Sequence, residues 1–350
     1  ENMVQIAVLA YGTVASGVVY LLDKNRDIIS KRINDEIQVK YILTRREYNK
    51  DKYASKIIMN IDKIVEDKDI KIVAEVIGGV TDAYEYTKKL LKAGKNVVTA
   101  NKELVATKGT ELFKLARENN VKYLFEASVG GGIPIIHPMI QCLVSNKIDK
   151  IVGIMNGTTN YILTKMLKDN LSFEEALKNA QKLGYAESNP AADVEGIDTC
   201  RKISILSSLA YGRNVNPDLI NVKGIDKITL EDVKVAENKG YVVKLVGYSK
   251  RVGEEKAEII VTPCAIKKNH PLANVDDVYN AILVSGNATG EVMFYGKGAG
   301  QFPTASAVCS DIIECLDNKT NVEFVWSDEK IEIETPKLKC LDNINIPIID

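Results

Sequence analysis

The chain has 350 residues, 45% hydrophobic and 27% charged, an ordinary globular composition with enough length for two cores rather than one. With 46 basic and 47 acidic side chains its formal net charge is -1, so no long-range field draws in nucleic acid or an anionic membrane, and a small-molecule partner is expected. The longest apolar stretches, such as Ile72 to Val80 with Glu75 and a glycine pair inside it, fall short of the ~20 residues a membrane helix needs, so no membrane partner is expected.

The start, Glu1-Asn2-Met3, runs directly into a strand pattern without a secretory signal, and Met3 is the expected natural start. Val4 to Leu9 is apolar save for Gln5 and leads through small residues into a helical pattern from Val14 to Leu22. The turn between them, in VLAYGTVASGVV, sits where a dinucleotide fold places its glycine-rich loop. Glycines at 10, 12 and 15 would complete G-x-G-x-x-G; here the residues are Ala10, Gly12 and Ala15. Alanine is a known variant at the third position and unusual at the first, where glycine makes the tight turn. Gly12, Thr13 and Val14 still stand where backbone meets pyrophosphate at a helix N-terminus. The loop taken alone is also consistent with a plain strand-turn-helix.

Strand patterns follow at Ile37 to Leu43, Ile72 to Ile77, Asn96 to Thr99 and Lys122 to Phe125, with helical patterns at Thr81 to Lys92 and Gly109 to Glu118. Strands alternating with helices predict a parallel, doubly wound α/β sheet of Rossmann type. After the second strand, where an NAD-preferring fold carries an acid, stand Arg45 and Arg46, which can hold a 2'-phosphate and favour NADP, or form a solvated basic turn. From Ile133 helices come in sequence: Ile133 to Val144, Thr158 to Lys168, Ser172 to Lys182 and Ala191 to Tyr211. Tyr241 to Ser249, Lys256 to Thr262, Tyr279 to Ser285 and Glu291 to Tyr295 read as strands of an antiparallel or mixed sheet. The expected division is a dinucleotide-binding domain over 1–132, closed by a helix near 303–318, an α+β substrate-binding and dimerisation domain over 133–302, and a tail over 319–350. The last strong helix, Ala305 to Leu316, is expected to return to the first domain. No repeat is evident, and Glu323 to Asp350 has no clear pattern.

Cys142, Cys200, Cys264, Cys309, Cys315 and Cys340 show neither CxxC spacing nor the density of a disulfide scaffold, which points to the cytoplasm. His137 and His270 lie far apart, against a His-rich metal site or a Ser-His-Asp triad, and His137 in PIIHPMI reads as structural.

Four blocks, NVVTANKELVA (Asn96 to Ala106), EASVGGGIPII (Glu126 to Ile136), NGTTNYIL (Asn156 to Leu163) and GYAESNPAADVEGIDTCRKISIL (Gly184 to Leu206), together resemble the homoserine dehydrogenase family in order and spacing. A late block, GKGAGQFPTASAVCSD (Gly296 to Asp311), adds the family's glycine turn, and the resemblance runs from Val4 to about Leu316. It implies an NAD(P)-dependent oxidoreductase interconverting homoserine and aspartate semialdehyde in threonine, methionine and isoleucine biosynthesis, as a homodimer. It implies Lys202 as the proton-transferring lysine, Lys102 as a second active-site lysine beside the nicotinamide, and Glu187, Asp198 and Asp193 as substrate-binding carboxylates. Thr99, Lys102, Gly184 and Gly300 fall at cofactor contacts. A monovalent cation (Na or K) is implied at Glu126, Val129, Gly131 and Ile133, largely through backbone carbonyls; the Gly130-Gly131-Gly132 run is otherwise only a loose turn.

The chemistry can also be argued from the residues. Reducing an aldehyde leaves negative charge on oxygen, so a cationic proton donor lowers the barrier, and the same group removes the alcohol proton in reverse. Lysine does both if desolvation and a second lysine lower its pKa, and Lys102 with Lys202 is the expected pair. Asp198 and Lys202, four apart, share one face of a predicted helix, a spacing that is also the commonest surface ion pair. An aldehyde-phosphorylating dehydrogenase would need a cysteine nucleophile and a nearby histidine, which this chain lacks. A noncatalytic dinucleotide-binding sensor fits the altered loop but has no use for the lysines and carboxylates. The chain is too short to add an aspartate kinase domain and has little room for a regulatory one, so feedback control is not expected.

Overall fold

The computed structural model describes residues 3–46, 52–317 and 325–349; Glu1, Asn2, Asp350 and Glu323, where the unpatterned tail begins, lie outside the described residues. Two compact units emerge, one of Glu1–Ile136 with Gly300–Asp328 and one of His137–Ala299 with Glu329–Asp350.

In the first unit, β1 (Met3–Leu9), β2 (Glu36–Leu43), β3 (Ile57–Ile58), β4 (Ile70–Glu75), β5 (Asn96–Thr99) and β6 (Tyr123–Leu124) form a parallel sheet in the order β3-β2-β1-β4-β5-β6. Helices α1 (Thr13–Lys24), α2 (Arg26–Ile33), α3 (Asp62–Glu66), α4 (Thr81–Lys92) and α5 (Lys102–Glu118) make the crossovers. β1 and β4 are mostly apolar because both of their faces are covered: Ile6 and Ala7, and likewise Ile72 and Val73, point to opposite faces and all four are fully buried. The order reverses beside β1 and β4, which places the binding crevice of this fold at their carboxyl ends.

The second unit contains β7 (Ile148–Ile154), α6 (Gly157–Lys168), α7 (Phe173–Lys182), α8 (Ala191–Val194), α9 (Ile197–Tyr211), β8 (Arg213–Asn214), β9 (Asn221–Val222), α10 (Leu230–Asn238), β10 (Tyr241–Arg251), β11 (Lys256–Lys267), β12 (Tyr279–Gly286) and β13 (Gly290–Lys297). Next comes α11 (Gln301–Leu316), which packs into the core of the first unit through Ala305, Val308, Cys309 and Ile312. The remaining strands are β14 (Ser327–Lys330), β15 (Glu332–Glu334) and β16 (Ile348–Ile349). The mixed sheet of the second unit runs β13-β12-β7-β10-β11-β15, with β9 and β16 also paired to β11. Among the described residues no helix is long and apolar enough to cross a membrane.

Several elements depart from expectation. Ile133 to Val144 is helical only in part: Pro134 keeps its first residues extended, and a short helical stretch forms over 136–142, π-helical across Pro138–Cys142. Ala191 to Tyr211 is two helices, α8 and α9, because Gly196 takes a left-handed φ of 84° where an added Cβ would stand 3.0 Å from Val222. β7, a central strand, has no counterpart among the strands expected from the sequence. β11 continues past Thr262 to Lys267 through Pro263, which lies between the residues that pair with β9 and those that pair with β16. Ala265 donates its N–H outward to Pro347, so Pro263, of the same parity, forfeits no bond to β10.

Candidate active site

The first unit presents the altered dinucleotide loop directly after β1. Ala10 has a φ of 81°, the left-handed conformation that favours glycine, and its N–H donates to the Leu43 carbonyl at 2.8 Å. Gly12 is the N-cap of α1 and contributes no side-chain cap, so the first-turn N–H groups of Thr13 and Val14 belong to an open, positively polarised helix end. The close approach usually credited to the third glycine is made elsewhere: Ala15 is buried, but it is Gly17 whose added Cβ would stand 2.9 Å from the Gln301 carbonyl and 3.0 Å from the Ala305 Cβ. We expect Ala10→Gly to relieve a strain of ~1 to 2 kcal/mol, partly offset by the freer unfolded chain, and to tighten dinucleotide binding a few-fold. Titration calorimetry checks this; unchanged or weaker binding would mean the loop has adapted to alanine.

Past β2, Arg45 and Arg46 are exposed, with Arg45 reaching Asp82 at 2.8 Å. At the carboxyl ends of β4 and β5 lies a fully buried carboxyl, Glu75. The Thr99 hydroxyl donates to its Oε2 at 2.5 Å and the Ile77 N–H to its Oε1 at 2.8 Å, and burial still pushes its pKa up to about 7. Asn101 extends this cluster: its N–H donates to Thr99 Oγ1, its Nδ2 to the Ile77 and Gly79 carbonyls, and its Oδ1 caps α5 by accepting from Leu104 N–H. Lys102, half-buried, is thereby the first residue of a firmly capped helix that begins at Lys102 rather than Gly109.

The Glu126 block forms a buried loop rather than a loose turn. Glu126 is 3% exposed, and its Oε1 accepts the N–H groups of Ile135 and Ile136 at 2.8 and 3.0 Å. Gly130 and Gly131 both have left-handed φ, turning the chain so that Ile133 N–H donates to the Gly130 carbonyl. Val129 and Ile133 are buried in the same loop. Among the described residues no group of three or more His, Cys, Asp or Glu side chains is placed to hold a metal ion. A cation at this loop would therefore rest on carbonyl oxygens and a single carboxylate, a donor set that suits a hard cation of low charge.

In the second unit the charged side chains come together. Asp198 lies in the first turn of α9 and Lys202 one turn later; Lys202 Nζ donates to Asp198 Oδ2 at 2.7 Å and to the Met155 carbonyl at 2.6 Å. Lys202 is 6% exposed and Asp198 9%, so this is no surface pair. Lys202 thus has a carboxylate beside it, and Lys102 lies in the first unit. Asn156, between β7 and α6, donates from Nδ2 to Asp193 Oδ1 at 2.7 Å and to Asp198 Oδ2 at 3.0 Å. Glu187 is exposed in the loop after α7, its backbone carbonyl accepting from Gln181, and takes no part in the Asn156 bonds. Gly184 in the same loop and Gly300 before α11 are exposed, with left-handed φ of 78° and 119°.

Sequence reasoning does not single out Asn156 or Glu75. An Asn directly before Gly-Thr-Thr is a legible N-cap signal, and an acid within the run Ile72 to Ile77 is a legible anomaly. Cys200 is buried and its thiol is pushed up to about 12, which makes it a poor nucleophile.

Comparison with known proteins agrees with this geometry. Residues 134–313 match the family described as homoserine dehydrogenase, and residues 11–126 its NAD binding domain. The homoserine dehydrogenase of Bacillus subtilis is 42% identical over 340 residues, covering 95% of this chain and 78% of that protein. A crystal structure of a homoserine dehydrogenase from Thiobacillus denitrificans superposes with a TM-score of 0.89 at 38% identity, over 95% of this chain and 80% of that one. A hyperthermophilic archaeal homoserine dehydrogenase in complex with NADPH gives 0.77 at 27% identity, over 92% and 100%. These matches fit an oxidoreductase and not a noncatalytic sensor. The chain, with its NAD-binding Rossmann unit and its buried lysine-carboxylate cluster, belongs to the homoserine dehydrogenase family.

Proposed function

We propose that the chain interconverts L-homoserine and L-aspartate 4-semialdehyde, with Lys202 moving the proton of the alcohol. The observation that carries this reading is the buried ammonium of Lys202, held by Asp198 and the Met155 carbonyl. Fixed at that point, the lysine in its neutral amine form can accept the hydroxyl proton as the alcohol is oxidised, and as the ammonium it can return the proton to the oxygen as the aldehyde is reduced. Asp193, Asp198 and Glu187 supply anionic oxygen for the substrate's ammonium. When bound, the nicotinamide dinucleotide supplies the hydride acceptor in one direction and the donor in the other. Gly12, Thr13 and Val14 at the α1 N-terminus meet its phosphates, and Thr99, Lys102, Gly184 and Gly300 complete its contacts. A sodium or potassium ion on the carbonyls of Glu126, Val129, Gly131 and Ile133 would brace the loop.

NADP is the preferred dinucleotide on this reading. Directly after β2 stand Thr44, Arg45 and Arg46 in place of the acid that NAD binding favours, and the exposed Arg45–Asp82 pair is weak enough for a phosphate to displace. The NADPH complex of the archaeal relative supports the same choice. The dimer reading is supported by β13, an edge strand carrying exposed Met293 and Tyr295, and a reducing, cytoplasmic setting by six unpaired cysteines. The test is a spectrophotometric assay with homoserine and each dinucleotide: reduction of NADP, faster than of NAD, is expected. Replacing Arg45 and Arg46 together by Ala should then weaken NADP binding selectively. Equal losses for both dinucleotides would remove the arginines from the 2'-phosphate, and no turnover of homoserine would sink the activity.

A further inference from the structure

Asp193, Asp198 and Lys202 arrive from α8 and α9, yet one neutral side chain ties them together. Asn156 is 6% exposed and its amide is fully used. Its two N–H bonds go to Asp193 and Asp198, while its Oδ1 accepts the Thr159 N–H at 2.9 Å and the Thr159 hydroxyl at 3.0 Å. The Thr159 N–H requires an acceptor, which fixes which end of the amide faces the carboxylates. The neighbouring residue, Met155, supplies the carbonyl that holds Lys202. Both residues follow β7, which is paired on both sides, to β10 and to β12, so the dipeptide is anchored to the middle of a sheet.

Resting on the reading above, we propose that Asn156 is a positioning residue that holds the two carboxylates, and through Asp198 the proton-transferring lysine, in one arrangement for the amino alcohol.

The chemistry admits few alternatives at this position. Two carboxylates drawn to a common point in a poorly solvated site repel each other, and a donor with two N–H groups offsets that repulsion. A lysine or arginine would supply donors too, but its charge would compete with the substrate's ammonium. An aspartate would cap α6 equally well and supply no donor.

Because Asn156 also caps α6, the test must separate positioning from folding. Asn156→Ser and Asn156→Asp both retain a capping oxygen and lose the bridge; Asn156→Ala loses both. The expected result is that Asn156→Ser melts near the parent temperature, that Asn156→Asp melts lower because it adds a third anion, and that both bind NADP as the parent does. Their kcat/KM for homoserine should fall ~30-fold or more for Ser and further for Asp, which adds a third anion to the cluster. If these two variants keep parent kinetics while Asn156→Ala is merely less stable, Asn156 is only a cap and the proposal fails. Crystal structures of the parent and Asn156→Ser give a readout that does not depend on the substrate: Asp193, Asp198 and Lys202 should shift or lose order in the variant. Unmoved side chains would overturn the proposal even if the parent did not turn over homoserine, whereas displaced ones would uphold the positioning role and leave only the activity wrong.

Discussion

Lys202→Met is expected to lower the turnover number with homoserine by ~100-fold or more while leaving NADP affinity near that of the parent, because the alcohol proton loses its acceptor. The same change removes the cation beside Asp198, which is 9% exposed and keeps its bond from Asn156, and breaking a buried ion pair can cost ~3 to 5 kcal/mol. A loss of activity in that variant alone would therefore be ambiguous. Lys202→Arg resolves it: the guanidinium keeps a cation beside Asp198 but does not release a proton at working pH. Lys202→Arg should melt near the parent and still lose most of its turnover. Near-parent turnover in the arginine variant would take Lys202 out of proton transfer. Glu187→Ala belongs to the same series and should raise KM for homoserine rather than lower kcat, since the exposed loop that carries Glu187 makes none of the Asn156 contacts.

The second large effect concerns stability. The Glu75 carboxyl is pushed up to about 7 by burial, against 4.5 for the ordinary group, so the folded protein binds a proton that the unfolded chain has released between those values. Stability associated with this group is full below the unfolded value and is lost as pH rises through about 7. By pH 8 the loss is on the order of 3 kcal/mol, the cost of ionising a carboxyl enclosed by the sheet. Gln has nearly the shape of the protonated acid, still accepts from Ile77 N–H, and never ionises. Urea titrations should therefore find Glu75→Gln close to the parent at pH 5 and more stable at pH 8. A difference that is the same at both pH values would mean the Glu75 carboxyl does not change its protonation on folding.

What could be read from the sequence follows the range of the interactions concerned. Strands β1 and β4 are legible because both faces are buried and so they appear as nearly uninterrupted apolar runs, as Ile6 to Leu9 does, whereas the two-residue β3 is too short to show a pattern. The Asp198–Lys202 pair is legible because helical spacing alone brings its members together. Asn156 is not, since it meets Asp193 and Asp198 across 37 and 42 residues and nothing local marks those partners. The shortened helix after Ile133 shows the same limit from the other side. Its apolar residues look helical, but the N–H groups of Ile135 and Ile136 are claimed by Glu126 from outside the segment. At Ala10 the sequence shows the departure from the glycine pattern, and only the backbone shows that the left-handed turn is kept despite it.

The docking of α11 against α1 has a consequence for how the chain is made. Gly17 and the sheet behind it receive Ala305, Val308 and Ile312, residues translated only after nearly all of the second unit. At ~5 to 20 residues per second, a ribosome that has finished β6 works for roughly ten to forty seconds before it delivers that helix. Through that interval the nascent dinucleotide-binding unit carries a bare apolar face, the kind of surface that recruits chaperones or aggregates. The first unit thus cannot complete its core in the order it is written: its early strands wait on α11, a helix made only after most of the second unit.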